Sequence, residues 1–327
     1  MKEFNFEGTL DIYSDDPQIF QPTALKTIKD EFYNSLKDYN IYIIAKTNKI
    51  YFHPEDMYID KRRGISYCYI AIKEEQGRCF TPLISRIPDE AYKIEVAPYP
   101  HKEIYLLDKN GTIIRSISTL QIISLLNEEI KLSFEVLYVG KSFGNKNKLN
   151  IINRLFDQNH KTLKKIINNT EKSEPDKEIY ILGYNFIHEK RLIGTNHNWI
   201  DTPFTKERER IIYFKDLKIS RKYKIDLIEE ALINYFAPRY NRLLKNSLNR
   251  LKSSSVKAFQ QLDITGIVVE FATKETGIKL FSDLVSPRKI HLVSFALQKE
   301  KDRVNFFNEQ TMQSSREQNF DYLLNYS

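Results

Sequence analysis

The stretch LIEEALINYFAPRYN, residues 227–241, places two adjacent glutamates just before an abrupt helix end. Apolar residues at helical spacing predict a helix over 223–236, and Pro238 cannot continue it. On a helical wheel, Glu230 lies opposite the apolar face and Glu229 lies at its edge. We therefore expect Glu230 in solvent and Glu229 beside a core or a cleft. A buried carboxylate needs a cationic partner there, either a divalent metal or an arginine.

A second candidate group lies in FEVLYVGKS, residues 134–142, a predicted strand that ends near a glycine. A phenol at the strand end, Tyr138, can approach a phosphate and exchange a proton with water. Gly140 lets the chain turn or lets backbone approach a nucleic acid. Because a phenol is a poor base at neutral pH, a cationic neighbour such as Lys141 is needed to lower the pKa of Tyr138. The alternative is a tyrosine of the core.

A third group follows on a predicted amphipathic helix over residues 149–168. The face opposite its apolar residues carries Arg154, Lys161 and Lys165. An arginine can clamp a phosphate through two hydrogen bonds and stabilise charge that develops on it. The alternative is a solvated cationic face, as on many surface helices. His160 lies at the border of the apolar face.

Taken in this order, the motifs resemble those of the GIY-YIG nuclease superfamily. The segment from Glu229 to Asn241 is similar to that family's closing glutamate and Pro-x-Tyr-Asn signature, and LYVGKS is similar to the second half of its name motif. The resemblance implies that Glu229 holds one Mg²⁺ or Mn²⁺ and that Asn241 helps to organise the site. It assigns Tyr138, Arg154 and Lys141 to the attacking water and the phosphate.

The resemblance also implies a first tyrosine on a strand about ten residues before YVG. Residues 122–130 are predicted to be helical, so the nearest equivalent is Tyr105 in EIYLL, with a helix inserted after it. His160 is a further candidate, although the family's histidine or tyrosine falls at the spacing of Gln158.

Charge and composition are compatible with a nucleic-acid partner. The chain of 327 residues has a net charge of +7, and residues 131–260 alone carry +12. Such a block attracts a polyanion, or it is a solvated lysine-rich surface. Cys68 and Cys79 are too few for a disulfide scaffold, and no apolar run is long enough for a membrane span. We expect two buried reduced thiols in a cytoplasmic protein.

The predicted fold class is α/β (α+β): a small mixed sheet flanked by helices, with β-rich N-terminal and C-terminal additions. DKNG at 108–111 predicts a hairpin, and Ser118 or Thr119 caps a helix over 118–129. The expected units are a β-rich domain, a nuclease-like core with a polar insertion at 187–222, a small β-rich unit and a tail, at residues 1–100, 101–245, 246–310 and 311–327.

These observations predict a metal-dependent endonuclease that hydrolyses DNA phosphodiester bonds, with restriction or phage defence as the setting by analogy. A catalytically inactive protein that binds DNA or RNA and an RNA nuclease are the alternatives. A single metal site cuts one strand at a time, so double-strand cleavage implies a homodimer, or a partner within a defence complex.

Overall fold

The computed structural model is an α+β fold of several mixed sheets and helices, as the sequence predicts. Cys68 is buried and free, whereas the side chain of Cys79 lies outside the described residues. The basic stretch 242–252 and the tail 311–327 also lie outside them. The structure describes residues 4, 6–25, 36–55, 57–74, 77–125, 132–143, 151–157, 160–194, 203–241 and 253–298.

In these ranges the strands are β1 (Phe6–Ser14), β2 (Gln18–Phe20), β3 (Ile41–Asn48), β4 (Ile50–Phe52), β5 (Tyr58–Asp60), β6 (Ile65–Glu74), β7 (Gly77–Arg86), β8 (Lys93–Val96), β9 (Glu103–Leu107), β10 (Ile113–Ser118), β11 (Ser133–Lys141), β12 (Lys177–Tyr184), β13 (Phe186–Gly194), β14 (Ile264–Ala272), β15 (Lys279–Phe281) and β16 (Ile290–Ala296). The α-helices are α1 (Thr119–Leu125), α2 (Lys161–Ser173), α3 (Phe204–Asp216), α4 (Arg221–Phe236) and α5 (Ser254–Gln261).

A five-stranded central sheet, in the order β15-β11-β3-β12-β2, carries the residues of interest. Its middle strand β3 is antiparallel to both β11 and β12. Ile41 and Ile43 face one apolar core, and Tyr42 and Ile44 face another. Burial on both faces explains why IYIIA is an unbroken apolar run instead of an alternating one.

The two faces of the central sheet are covered by different helices. α4 places Ile228 and Leu232 in the core on one face, and α2 places Leu163 and Ile166 in the core on the other. The sequence predicts one helix over 149–168. The structure instead has a π-helical segment, Asn153–Asp157, and then α2, which begins after His160.

A second sheet, in the order β13-β1-β14-β16, joins distant parts of the chain. β1 is antiparallel to β13 and parallel to β14. The sequence predicts residues 187–222 to be a polar insertion without clear periodicity, but they form most of β13, all of α3 and the start of α4. β13 is mostly exposed and lies at the edge of its sheet, which explains the weak apolar pattern there.

The predicted domain boundaries do not coincide with the sheets. β2 and β3 come from the expected N-terminal unit, and β15 comes from the expected C-terminal unit, yet all three belong to the central sheet. Residues 49–132 form an excursion between β3 and β11, with sheets of their own. Within it, β9 and β10 make the expected hairpin. The Asp108 carboxylate accepts hydrogen bonds from the backbone N–H groups of Asn110 and Thr112, both at 2.8 Å.

Candidate active site

Two tyrosines from neighbouring strands lie together at one end of the central sheet. Tyr42 on β3 and Tyr138 on β11 have ring centroids 6.1 Å apart. An irregularity in pairing between Val136 and Tyr138 creates this arrangement. The extra residue, Leu137, turns Tyr138 onto the face where Tyr42 lies, as a β-bulge does. Without it, strict alternation would place Tyr138 on the opposite face.

Gly140 is required by the close approach of these rings. A Cβ atom at this position would lie 2.5 Å from both Cζ and Oη of Tyr42 and 2.7 Å from Cε1 of Tyr138. Such separations are shorter than van der Waals contact. The glycine of YVG therefore makes room for the two phenols.

His160 fixes the hydrogen-bond direction in this cluster. The backbone N–H of Leu163 donates to His160 Nδ1 at 3.0 Å, so the proton of the neutral ring is on Nε2. His160 Nε2 lies 2.8 Å from Tyr42 Oη and therefore donates to it. Burial and then the charge of Arg154 lower the pKa of His160 to about 4, so the ring is neutral at physiological pH. Tyr42 can then donate its own hydrogen to Tyr138, an interaction that lowers the pKa of Tyr138.

Arg154 contributes the positive charge on this side of the sheet. It lies in the π-helical segment and is half-buried. Burial raises the pKa of Tyr42, and the charge of Arg154 together with a hydrogen bond offsets this only in part. The charge of Arg154 also acts to lower the pKa of Tyr138. The break in the helix separates Arg154 from the exposed face of α2, where Lys161 and Lys165 lie, so the predicted single cationic stripe is wrong.

Glu229 lies in an ion pair that also includes Asp226. The ammonium nitrogen of Lys141 lies 2.7 Å from Glu229 Oε2 and 2.8 Å from Asp226 Oδ1. Burial raises the pKa of Glu229, and Lys141 offsets that effect only in part. Burial lowers the pKa of Lys141, but Glu229 and Asp226 outweigh burial and raise it overall. The Lys141 side chain is 32% exposed, so the pair opens to solvent.

The pKa of Tyr138 depends on both groups of charges. Burial and the carboxylate of Glu229 raise its pKa, whereas Arg154, Tyr42 and Lys141 lower it, and the net direction is upward. Lys141 thus acts on the pKa of Tyr138 in the predicted direction, but burial and Glu229 outweigh it, so the phenol is not made a better base. At neutral pH, Tyr138 is a phenol.

Glu230 is buried, which corrects the expectation that it lies in solvent. Only 6% of its surface is exposed, and Ser255 Oγ donates to Glu230 Oε1 at 3.1 Å. α5 packs on the side of α4 that a one-sided wheel assigns to water. The helix therefore buries both faces, and Glu229 and Glu230 differ in what they contact, not in exposure.

Asn241 pairs with the strand that carries the YVG motif. Its Oδ1 accepts from the backbone N–H of Val139 at 2.9 Å, and its Nδ2 donates to the carbonyl of Val139 at 2.8 Å. The loop that brings it there begins at Ala237, which ends α4 in the left-handed conformation. Asn241 thus positions the backbone between Tyr138 and Gly140, consistent with the predicted organising role.

Tyr105 lies outside this cluster. It is on β9, where its pairing partners are Ser116 on β10 and Glu95 on β8. The tyrosine beside Tyr138 is Tyr42, in the tripeptide Asn-Ile-Tyr of residues 40–42. That tripeptide is a near match to GIY, but the excursion of residues 49–132 hides it from any search at the usual spacing.

The carboxylates suit a single divalent cation. Mg²⁺ commonly binds through one or two carboxylates and completes its shell with water and phosphate oxygens. Glu229 and Asp226 offer such donors, and the ammonium between them shows that positive charge is accommodated there. In the described part of the chain, no group of three or more histidine, cysteine, aspartate or glutamate residues is placed to hold a metal. The residues present fit one Mg²⁺ or Mn²⁺ at Glu229.

Comparisons with known proteins add no relative. The chain matches no protein-family model, no curated protein and no solved structure. In the described ranges, no helix is both long and apolar enough to cross a membrane.

Proposed function

We propose that the protein is a metal-dependent endonuclease that hydrolyses phosphodiester bonds of DNA. The observation that supports this most directly is the meeting of side chains from separate segments around one cluster. The charge of Glu229 acts on Tyr42 and Tyr138, and Arg154 acts on both phenols and on His160. A phenol can exchange a proton with water, an arginine can stabilise charge on a phosphate, and a buried carboxylate can hold a metal ion, so this set of groups can serve phosphodiester hydrolysis.

Each group has a role that its contacts support. Tyr138 orients the attacking water and donates to a phosphate oxygen, because it is a phenol at neutral pH. His160 donates a hydrogen bond to Tyr42, and Tyr42 in turn holds the Tyr138 oxygen. Arg154 neutralises charge that develops on the phosphate. A Mg²⁺ or Mn²⁺ ion at Glu229 would supply Lewis-acid stabilisation of the leaving oxygen when bound.

Lys141 supports a second candidate function. Its ammonium already occupies the position between Glu229 and Asp226. A protein that neutralises these carboxylates with its own lysine has less need of a metal. This observation favours a catalytically inactive protein that uses the +12 block of residues 131–260 to hold DNA or RNA. Both functions agree with the cytoplasmic location predicted from the sequence.

Plasmid cleavage tests the nuclease proposal. Purified protein is incubated with supercoiled plasmid and Mg²⁺ or Mn²⁺, beside Glu229→Gln and the neighbouring control Glu230→Gln. We expect cutting by the wild type and by Glu230→Gln, and none by folded Glu229→Gln. Nicked product without linear product indicates a monomer, and direct linear product indicates a dimer.

Failure to cut plasmid, modified phage DNA or RNA by the wild type would reject the nuclease. Retention of DNA or RNA in a mobility-shift assay would then support the binding protein. Cutting of RNA alone would assign the same site to an RNA nuclease.

A further inference from the structure

A cavity of about 780 Å³ lies at the opposite end of the central sheet from the tyrosine cluster. Tyr42 is near the start of β3, whereas Lys49 follows its end and lines the cavity. The first residues of β12, from Lys177, form one wall, and Thr170 of α2 forms another. Residues 21–23, which follow β2, form a third wall, and the excursion of residues 49–132 forms the fourth. This volume lies in the range of pockets that hold small organic groups.

The excursion supplies aromatic side chains to this cavity. Tyr51, His53, Tyr99 and His101 all line it. Tyr99 is 82% exposed, an unusual position for so large an apolar ring. Its ring meets His101 edge-to-face, with centroids 6.1 Å apart. His101 Nδ1 donates to the carbonyl of Ala97 at 2.8 Å, which fixes its orientation. Exposed aromatic rings of this kind are stacking platforms for nucleobases.

The charges of the lining cancel. Three lysines and three glutamates contribute, and they are Lys49, Lys102, Lys177, Glu55, Glu171 and Glu178. Lys102 and Glu178 form an ion pair with each other. A lining with no net charge but many donors and acceptors suits a neutral heterocycle better than a phosphate. The phosphates must then be held elsewhere.

α2 provides that place, because it connects the tyrosine cluster with the cavity. It starts after His160 and reaches the cavity wall at Thr170. Exposed lysines lie along its length, namely Lys161, Lys164, Lys165 and Lys172. At about 1.5 Å per residue the path is about 15 Å. Nucleic-acid bases follow one another at about 3.4 Å, so this path corresponds to about four nucleotides.

We propose that the cavity receives one unstacked nucleobase of the nucleic-acid strand whose backbone lies along α2. The inference rests on the proposed function, because it takes the tyrosine cluster as the place of cleavage. It specifies that the bond cut lies about four nucleotides from the recognised base. Tyr99 provides the stacking surface, as in proteins that extrude a base from a duplex.

Binding in EDTA tests this inference without cleavage. Fluorescence anisotropy is measured with 20-nucleotide DNA of mixed sequence, single-stranded and duplex, for wild type, Tyr99→Ala and Tyr92→Ala. Tyr92 is 51% exposed and does not line the cavity, so it is a matched control. We expect Tyr99→Ala to bind roughly five- to a hundredfold more weakly, as for the loss of one stacked base. Tyr92→Ala should stay within about twofold of the wild type, and thermal unfolding should confirm that both variants are folded.

A second measurement locates the base. 2-Aminopurine is placed at successive positions of the duplex, and its fluorescence should rise on binding at positions that become unstacked, but not with Tyr99→Ala. Equal affinities of Tyr99→Ala and Tyr92→Ala, or no binding by the wild type, would overturn the inference. If Tyr99→Ala weakens binding but the wild type does not cleave plasmid, the cavity is supported as a nucleobase site and the nuclease proposal is rejected. If the wild type cleaves plasmid but Tyr99→Ala binds normally, the nuclease proposal is supported and the nucleobase site is rejected.

Discussion

Gly140→Ala is the sharpest test of the tyrosine cluster. The new methyl group would lie 2.5 Å from Cζ and Oη of Tyr42, where ordinary contact is about 3.5–4.0 Å. Tyr42 is 1% exposed and packed on all sides, so its ring must move by about 1 Å or the strand must shift. Overpacking of this kind costs about 1–3 kcal/mol of unfolding free energy. A displacement of about 1 Å in a reacting group costs about a hundredfold in rate.

Urea unfolding and the plasmid-nicking rate separate the two effects. Gly8→Ala is the matched control, because its Cβ would lie 2.4 Å from Cε2 of Phe214, far along the chain from the cluster. Gly8→Ala should lose similar stability but keep the nicking rate of the folded protein. Gly194→Ala, with its nearest contact at 3.5 Å, should change neither quantity. A folded Gly140→Ala protein that nicks plasmid at the wild-type rate would refute the role assigned to the Tyr42–Tyr138 arrangement.

Four further substitutions test the cluster, its surroundings and one control, His291 of β16, which stacks on Phe271. Asn241→Ala leaves the buried N–H and carbonyl of Val139 without their partners, and urea unfolding should show a loss of about 2–4 kcal/mol; a loss below about 0.5 kcal/mol would contradict the pairing. Burial raises the pKa of Glu230 above its ordinary value of 4.5, so stability falls as pH rises above that value. When unfolding is measured as a function of pH, Glu230→Gln should reduce this fall in stability. An unchanged dependence of stability on pH would contradict the assignment of the fall to Glu230. Burial lowers the pKa of His160 and of His291 from 6.5 to about 4, so both favour the unfolded chain as pH drops through that interval. Replacing either histidine by Gln should reduce the loss of stability at acidic pH. Only His160→Gln should also slow plasmid nicking. If His291→Gln slows nicking to the same extent, the role assigned to His160 in the cluster is contradicted.

Much of the fold follows from local patterns in the sequence. The hairpin at 108–111 depends on residues that are neighbours in the chain, and Asp108 forms the expected backbone bonds. The helix over 223–236 and its end at Pro238 depend on periodicity and on one proline. The strand with Tyr138 depends on an apolar run. Each of these signals is complete within about fifteen residues, which is why it can be read without a structure.

The errors come from features that only the assembled chain decides. Glu230 is buried because α5, beyond the basic stretch 242–252, covers a face that a helical wheel assigns to water. Tyr42 meets Tyr138 across an excursion longer than a typical hairpin loop. The bulge at Leu137 that turns Tyr138 toward Tyr42 has no local signature in FEVLYVGKS. Tyr105 was chosen by its distance along the chain and Glu230 was placed by a helical wheel, and neither method includes the contacts that distant segments make.

The excursion between β3 and β11 also has a consequence for biosynthesis. Tyr42 leaves the ribosome before its partner strand, which follows only after residues 49–132, and Glu229 and Asn241 follow later still. Pairings between distant segments form slowly, because the entropy of closing a long loop must be overcome first. β15, which pairs with β11 at Phe134 and Leu280, is made after Glu229 and Asn241. If the proposed nuclease function holds, we expect chains truncated before Asn241 to carry no cleavage activity, because the tyrosine cluster, Glu229 and Asn241 come from segments far apart in the chain.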